Sequence, residues 1–267
     1  RVLAARLLAR NRLAVLDEQY PYVDFATRVK GAHDLARAFL DYLHRHRDEV
    51  VGLVAQADRT AIARGLAPGA EDVFVVATTP APLERRITVQ GYEMRVEDGG
   101  RYPKVTPTDV KREYAGLPYL ARYAPARTVR LPRGYLVTAP EPAVVARLRD
   151  HGIAVERLVA PATLAVEAFS VTRLVPAEAS DQGHYTSTVA GTYARREVTA
   201  PAGAWFVPTA QPLGALAAQL LEPESPDGLV TWNAFDRWAA FQWIPQPVEL
   251  PVYRVLEAAA LSTEAVP

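Results

Sequence analysis

Residues 11–29 of this 267-residue chain read NRLAVLDEQYPYVDFATRV, and the fold prediction depends on them. A short apolar run, residues 12–17, ends at the adjacent carboxylates Asp17 and Glu18, and two tyrosines around a proline follow. An apolar run bounded by polar residues is typical of a short buried strand. Asp24 then stands where a helix N-cap is preferred. The stretch therefore predicts a strand, a turn and the start of a helix.

The clearest helix in the sequence is predicted directly after this turn. Apolar side chains recur at steps of four and three, whereas charged side chains take the other face. The apolar set is Phe25, Val29, Ala32, Ala36, Phe39 and Leu43, and the charged set is Lys30, Asp34, Arg37, Asp41 and Arg45. A second helix is predicted over residues 48–64, because Gly65 and Pro68 follow it as helix terminators do.

Beyond residue 68 the sequence is dominated by strand-like runs, in which apolar and polar side chains alternate between prolines and glycines. Helices are predicted among these runs at residues 142–152 and 212–223, from their proline and glycine boundaries. The chain is therefore predicted to be α+β, with a first domain over residues 1–67 and a β-rich domain over residues 68–267.

The composition argues against several classes of protein. Lysine plus arginine equals aspartate plus glutamate at 30 each, which lacks the basic excess of a nucleic-acid binder. No apolar run approaches the roughly 18 residues that span a bilayer, so no membrane span is predicted. Cysteine is absent, which excludes disulfides, thiolate metal ligands and cysteine nucleophiles. No glycine-rich phosphate loop or G-x-S-x-G elbow supports nucleotide binding or serine hydrolysis.

The histidines offer one pattern that resembles a metal site. His46 and Glu49 form an H-x-x-E string, and His184 lies downstream as a third candidate ligand. The string falls at the charged end of a helix, where cations interact favourably with the helix dipole. No partners that would orient a zinc ligand are indicated nearby. We therefore interpret the string as a solvated helix end and predict no metal site in this chain.

An aromatic group near the C-terminus allows two interpretations, carbohydrate stacking or a packed core. Its members are Trp232, Phe235, Trp238, Phe241 and Trp243. The spacing of the first three approximates one helical face, which favours a packed core or an inter-domain seam.

Glu18 is the remaining candidate for chemistry. A carboxylate at the exit of a buried strand, rimmed by aromatic side chains, can have a raised pKa and act as a general base. Strand ends also carry acidic residues for structural reasons alone. On the pattern alone, the structural interpretation is favoured.

Two stretches resemble the zinc carboxypeptidases, the carboxypeptidase A-like metallopeptidases, in their bacterial multi-domain branch. Residues 11–29 resemble the last active-site segment, although Asp17 stands where a serine is usual and Pro21 also departs. Residues 205–236, which include QPLGALAAQLLEPESPDGL, are similar to the C-terminal region of the same branch. The matching positions in the first stretch are Asn11, Arg12, Leu16, Glu18, Tyr20, Tyr22, Phe25, Arg28 and Val29.

The resemblance implies that Glu18 is the catalytic general base of zinc-dependent hydrolysis at peptide C-termini. It implies that residues 1–67 are the strand-and-helix end of an α/β/α catalytic domain. Residues 68–267 would be a β-rich accessory region with two or three helices. The zinc ligands and the arginines that hold the substrate carboxylate have no matching positions, since the family places them before the general base.

We therefore expect the C-terminal portion of such an enzyme, inactive alone and with no zinc bound to this chain. In the intact enzyme its partners would be zinc, a peptide or protein substrate and the missing N-terminal catalytic portion. The family is often exported, so the resemblance suggests a secreted or periplasmic location, with the signal upstream. No substrate-binding residue is assigned.

Loss of the rest of the catalytic domain has a structural consequence. We expect an exposed apolar patch around Leu16, Val29 and Phe39, because their strand and helix would lack the neighbouring sheet. The C-terminal region, residues 1–10 or another chain could cover it instead. Two non-enzymatic alternatives stay open: a β-rich module that binds or interacts without catalysis, and a degenerate peptidase paralogue.

Overall fold

The computed structural model describes residues 9–19, 21–100, 103–239 and 247–266. Contacts divide the chain into two units. The core unit comprises Arg1–Val76 and Val129–Pro267, and the ribbon unit comprises Ala77–Thr128. The predicted division near residue 68, into a catalytic remnant and an accessory domain, stays a prediction.

Two long helices follow the segment that contains Glu18. Helix α1 spans Phe25–Arg45 and helix α2 spans Arg47–Leu66, so both predicted helices are confirmed. The carboxylate of Asp24 caps α1, because it accepts hydrogen bonds from the Thr27 hydroxyl at 2.6 Å and the Thr27 backbone N–H at 2.9 Å. These hydrogen bonds hold the pKa of Asp24 below its usual value, and the one from the Thr27 hydroxyl has the largest effect.

The strand predicted over residues 12–17 is wrong, since residues 12–19 form neither helix nor strand. A strand satisfies its backbone N–H and C=O groups by pairing with a neighbour. None of the sheets in the described part of the chain includes this segment. The apolar composition is therefore that of a strand, but no described strand pairs with the segment.

The described residues contain eleven strands, and together with the helices they give the mixed α+β architecture that was predicted. In chain order the strands are β1 (Val73–Ala81), β2 (Arg86–Glu97), β3 (Lys104–Pro118), β4 (Arg122–Arg130), β5 (Gly134–Val137), β6 (Glu156–Leu158), β7 (Ala162–Pro176), β8 (Ser187–Ala200), β9 (Trp205–Pro208), β10 (Val248–Val255) and β11 (Thr263–Ala265).

The core unit is built on a seven-stranded sheet in the order β11-β6-β9-β5-β10-β7-β8. Neighbouring strands are antiparallel, and β7 and β8 form the longest pair, from Ala162 opposite Ala200 to Pro176 opposite Ser187. Successive side chains of a strand point to opposite faces. Accordingly Tyr135 and Val137 of β5 join one buried cluster, whereas Leu136 between them joins another.

Three short helices contribute to the cluster that contains Tyr135. They are α3 (Pro142–Asp150), α4 (Gly214–Leu221) and the single turn α5 (Asp236–Ala239). Each supplies buried side chains, including Leu148 of α3 and Leu221 of α4. The helices predicted at residues 142–152 and 212–223 are thereby confirmed, with slightly shorter bounds. Across the described residues, no helix combines the length and the apolar character needed to cross a membrane.

The ribbon unit is formed mainly by the antiparallel pair β2 and β3. Its distal half carries apolar side chains on one face, where Met94 lies opposite Pro107 and Val96 lies opposite Val105. The other face carries ion pairs, such as the one between Lys104 and Glu97 at 3.6 Å.

Candidate functional site

Glu18 lies in the irregular segment that leads to α1, and its side chain is exposed. Its neighbour Gln19 contacts both the segment and the helix. The Gln19 amide donates to both carboxylate oxygens of Asp17, at 2.9 and 2.7 Å. Gln19 Oε1 also lies over Gly31, where a Cβ atom would come within 2.6 Å of it. Glycine at position 31 therefore allows the segment to approach the helix beside Glu18.

The apolar stripe of α1 is open to solvent, and none of the helix residues is buried. We call Leu16, Phe25, Val29 and Phe39 the open face; their exposed fractions are 58%, 73%, 50% and 39%. The predicted exposure of Leu16, Val29 and Phe39 is thereby confirmed. An amphipathic helix usually buries such a stripe against a core, and a contiguous exposed apolar surface is typical of an interaction site.

The start of the Glu18 segment, in contrast, is fixed to other elements. The Asn11 side-chain amide donates to Asp58 Oδ1 of α2 at 3.1 Å and to the backbone carbonyl of Pro212 at 2.8 Å. The Arg12 guanidinium donates to the same Asp58 oxygen at 2.9 Å. These hydrogen bonds lower the pKa of Asp58, and the one from Arg12 has the largest effect. The two stretches that carry the family resemblance therefore meet at Asn11 and Pro212.

The second of these stretches, residues 205–236, contains a buried carboxylate that is hydrogen-bonded within the fold. Glu222, at 1% exposure, ends α4 and accepts hydrogen bonds from Tyr135 at 2.7 Å, Tyr193 at 3.1 Å and Arg254 at 2.8 Å. The Arg254 guanidinium also lies 3.6 Å from the centre of the Tyr193 ring. Burial is the main cause that raises the pKa of Tyr193, and the nearby Glu222 carboxylate adds to it. The group is fully engaged in the fold, so it is a structural ion pair.

Other polar residues of the same stretch also serve the fold. Gln211 accepts from the Ala154 backbone N–H at 2.8 Å and donates to the Ala154 carbonyl at 3.1 Å. Gln219 donates to the Ser225 hydroxyl at 2.6 Å. Asn233 has a φ of 65° and donates to the Ser187 hydroxyl at 3.0 Å. The sequence around QPLG and LLEPES thus encodes hydrogen bonds inside the core unit.

The metal-like pattern is divided, because His184 contacts a different part of the fold from His46 and Glu49. His46 Nδ1 lies 3.3 Å from Glu49 Oε2 at the junction of α1 and α2, and both side chains are exposed. His184 stacks on Trp232 and its Nε2 lies 2.8 Å from Asn233 Oδ1. Within residues 9–19, 21–100, 103–239 and 247–266, no group of three or more His, Cys, Asp or Glu side chains could hold a metal ion.

The C-terminal aromatic group is part of the core where the structure describes it. Phe235 is buried, and Trp238 packs against the same cluster while its Nε1 donates to Glu141 at 2.9 Å. The packed-core interpretation is confirmed for these two residues. Phe241 and Trp243 lie outside the described residues, as does Tyr20 of the first resemblance stretch.

A cleft of about 480 Å³ lies next to the contacts of Asn11. Among its described lining residues, Arg64 carries the one charged side chain, and it donates to Asp72 at 2.9 Å. The described lining offers no second titratable group that could form an acid–base pair with a substrate. Its other lining residues include Leu53, Ala57, Phe74 and Thr209.

Sequence reasoning did not find Asp58 or the partnership of Glu222 with Arg254. Asp58 lies on the second predicted helix among other charged residues, and its partners are 46 and 47 positions away. Glu222 had a signal, since a carboxylate follows the apolar run of α4 directly. A carboxylate that is buried on folding requires a charged or hydrogen-bonding partner. The sequence does not indicate that this partner is Arg254.

Comparison with known proteins gives one kind of relative. The chain is 32% identical over 126 residues to Carboxypeptidase 2 of Trichophyton tonsurans, which is 46% of this chain and 22% of that protein. The corresponding protein of Trichophyton rubrum is 32% identical over 123 residues, 44% of this chain and 23% of the relative. The corresponding protein of Trichophyton equinum is 32% identical over 126 residues, which is 46% of this chain and 22% of that protein.

The match covers less than a quarter of the length of these curated relatives. No family model matches the chain, and no solved structure matches it significantly. The similarity therefore supports a carboxypeptidase-related region in part of the chain.

Proposed function

We propose that this chain is the C-terminal portion of a zinc-dependent carboxypeptidase in which Glu18 is the general base. The partial similarity to proteins named carboxypeptidases supports a peptidase, and the resemblance of residues 11–29 assigns the role of Glu18. The open face is the observation that carries the proposal. Leu16 lies two positions before the candidate base, Phe25 begins the helix that follows it, and all four side chains are exposed where another part of the protein could pack.

The energetics of the open face favour a covering domain. Complete burial of a side chain such as Leu, Val or Phe is worth about 1.5–3 kcal/mol. The open face forgoes a large part of that stabilisation at four positions, Leu16, Phe25, Val29 and Phe39. The backbone of residues 12–19 outside any described sheet adds a second incentive, because a neighbouring strand would satisfy its hydrogen bonds. Both features suit the edge of an incomplete sheet.

In the proposed reaction the Glu18 carboxylate accepts a proton from the water that attacks the scissile carbonyl. The carboxylic acid then donates this proton to the leaving amine, which returns Glu18 to its starting state. General-base catalysis of this kind contributes on the order of 10²–10⁴ in rate. The His, Asp and Glu side chains of the described residues do not fit a zinc ion. The zinc ligands would therefore be supplied by the missing N-terminal portion.

The proposal is tested with two proteins, this chain alone and the complete protein that includes the upstream catalytic portion. Both are assayed with zinc for release of C-terminal amino acids from a peptide. We expect release by the complete protein only. Glu18→Gln in the complete protein should lower kcat by two to four orders of magnitude with KM nearly unchanged.

Asp17→Asn is the matched control, because Asp17 is the adjacent exposed carboxylate and the proposal gives it no catalytic role. This variant should keep activity within a few-fold of the unchanged protein. Zinc-dependent release by the chain alone, or full activity of Glu18→Gln, would contradict the proposal.

A non-catalytic interaction module is the second candidate function. It is favoured by the exposure of Glu18 and by the absence of a strand in residues 12–19. A degenerate peptidase paralogue would have the same features. The upstream reading frame separates these candidates from the enzyme, because only the enzyme requires an H-x-x-E string and a later histidine there.

A further inference from the structure

Asn11 lies where three parts of the core unit meet. They are the segment that leads to Glu18, helix α2, and the turn before α4 that contains Pro212. The side-chain amide of Asn11 joins all three, through Asp58 Oδ1 at 3.1 Å and the Pro212 carbonyl at 2.8 Å. Asp58 and Pro212 are 47 and 201 positions from Asn11 in sequence, so the two hydrogen bonds fix a local segment to distant parts of the chain.

The backbone at this position also selects the residue. Asn11 has a φ of 56°, in the left-handed region, where asparagine is one of the few residues other than glycine that are found often. The chain therefore changes direction at Asn11 before it continues to Glu18. Arg12 adds a second donor to Asp58 at 2.9 Å, so one carboxylate holds two consecutive residues of the segment.

The platform that carries Asp58 is itself closely packed. A Cβ atom on Gly65 of α2 would come within 2.3 Å of the Thr209 backbone, so glycine allows direct contact between the helix and the turn before α4. Thr209 is in turn held by hydrogen bonds to the carbonyls of Arg133 at 2.9 Å and Pro132 at 2.6 Å. Helix α2 therefore presents Asp58 from a fixed position on the core unit.

We infer that Asn11 and Asp58 are positioning residues that set where the Glu18 segment leaves the core unit. The inference rests on the proposed function. In the complete protein proposed above, a strand of the upstream portion would pair with residues 12–19, and a slip of one residue would turn Glu18 to the opposite face of the sheet. Residues 11 and 12, fixed at one end, select a single register for that pairing. The β-rich core unit thereby contributes to catalysis by aligning the general base.

The first experiment uses this chain and does not depend on catalysis. Trypsin cleaves after Arg12, and its rate at this bond is measured by mass spectrometry. Asn11→Gly keeps the left-handed backbone but removes both amide hydrogen bonds, and Asp58→Asn removes the charge that holds Arg12. We expect cleavage after Arg12 to be at least tenfold faster in each variant, with Tm unchanged within about 3 °C.

Asp34→Asn is the matched control, because Asp34 bonds to Lys30 at 2.5 Å within α1 alone. It should leave cleavage after Arg12 unchanged. Equal cleavage rates in Asp58→Asn and the unchanged chain would overturn the inference, because Asp58 would then not hold the segment.

The second experiment uses the complete protein and measures kcat and KM separately. A displacement of about 1 Å at the reacting groups costs on the order of 10²-fold, so Asn11→Gly and Asp58→Asn should lower kcat by tenfold or more. KM should stay within about twofold, because the inferred role of both residues is to position the segment and not to bind substrate. A normal kcat in both variants would overturn the positioning role while Glu18→Gln remained inactive. Full activity of Glu18→Gln would instead overturn the proposed function, and with it the positioning of a general base.

Discussion

At the scale of single residues, the core unit contains a buried ion pair between Glu222 and Arg254. Glu222 and Arg254 face each other with side chains 1% and 7% exposed, and two tyrosine hydroxyls complete the contacts of the carboxylate. A buried charge is tolerated only when it is paired and hydrogen-bonded. The ion pair therefore joins the end of α4 to β10 and makes each partner dependent on the other.

Removal of one partner should be costly. Glu222→Gln would remove the buried counter-charge of Arg254 and leave its guanidinium with the part-exposed Glu167 carboxylate at 3.2 Å. We expect the free energy of unfolding to fall by about 3 kcal/mol. Urea denaturation followed by circular dichroism measures this change. Glu264→Gln is the control, because Glu264 pairs with Arg157 at an exposed position. That substitution should cost less than about 1 kcal/mol, and an equal loss in both variants would contradict the structural role of Glu222.

At the scale of elements, α1 and α5 place phenylalanine in opposite environments. Phe25 begins α1 and is 73% exposed, whereas Phe235 immediately precedes α5 and is buried in the cluster beneath the sheet. The difference lies in what each element packs against. The amphipathic pattern of α1 is as pronounced as in a buried helix, but the described residues supply no cover for it.

The two positions give opposite predictions for the same substitution. Phe25→Ala should change the free energy of unfolding of this chain by less than about 1 kcal/mol, as exposed positions usually do. Phe235→Ala should cost about 3–5 kcal/mol, because it leaves a cavity in the core. Thermal and urea denaturation of the two variants measure the difference. A loss above 2 kcal/mol for Phe25→Ala would indicate that the open face is covered in solution.

The sequence predicted the helices well and the first strand poorly, for one physical reason. The start of α1 depends on a local hydrogen bond between Asp24 and Thr27, and a local pattern can indicate it. A strand over residues 12–17 depends on a neighbour elsewhere, and composition alone does not show whether that neighbour is present. The same limit applies to Asp58, whose partners Asn11 and Arg12 are distant in sequence.

At the scale of the whole molecule, three tyrosines of the seven-stranded sheet have raised pKa values, which makes stability depend on pH. Tyr135, Tyr193 and Tyr253 lie on β5, β8 and β10, and burial is the largest cause that raises the pKa of each. For Tyr253 the pKa rises to about 12, with the Glu249 carboxylate as a further cause. The unfolded chain would release these protons near the usual value of 10.0.

The raised pKa values determine the direction of the pH dependence. Above about pH 10 the unfolded state loses tyrosine protons that the folded state retains, so the free energy of unfolding should fall as pH rises towards 12. Below pH 10 the contribution is fully present. Urea denaturation at several pH values measures the slope, which Tyr253→Phe should make shallower. Tyr185→Phe, at an exposed tyrosine, should leave the slope unchanged, and an equal slope in both variants would contradict the prediction.

The open face has a consequence for the life of this polypeptide in a cell. Chaperones and quality-control proteases recognise exposed apolar helices, so a chain made without its covering domain would resemble an orphan subunit. Small differences in folded population already change protein abundance several-fold. We therefore expect the amount of this polypeptide to follow the supply of whatever covers α1, and co-expression with that cover should lengthen its half-life.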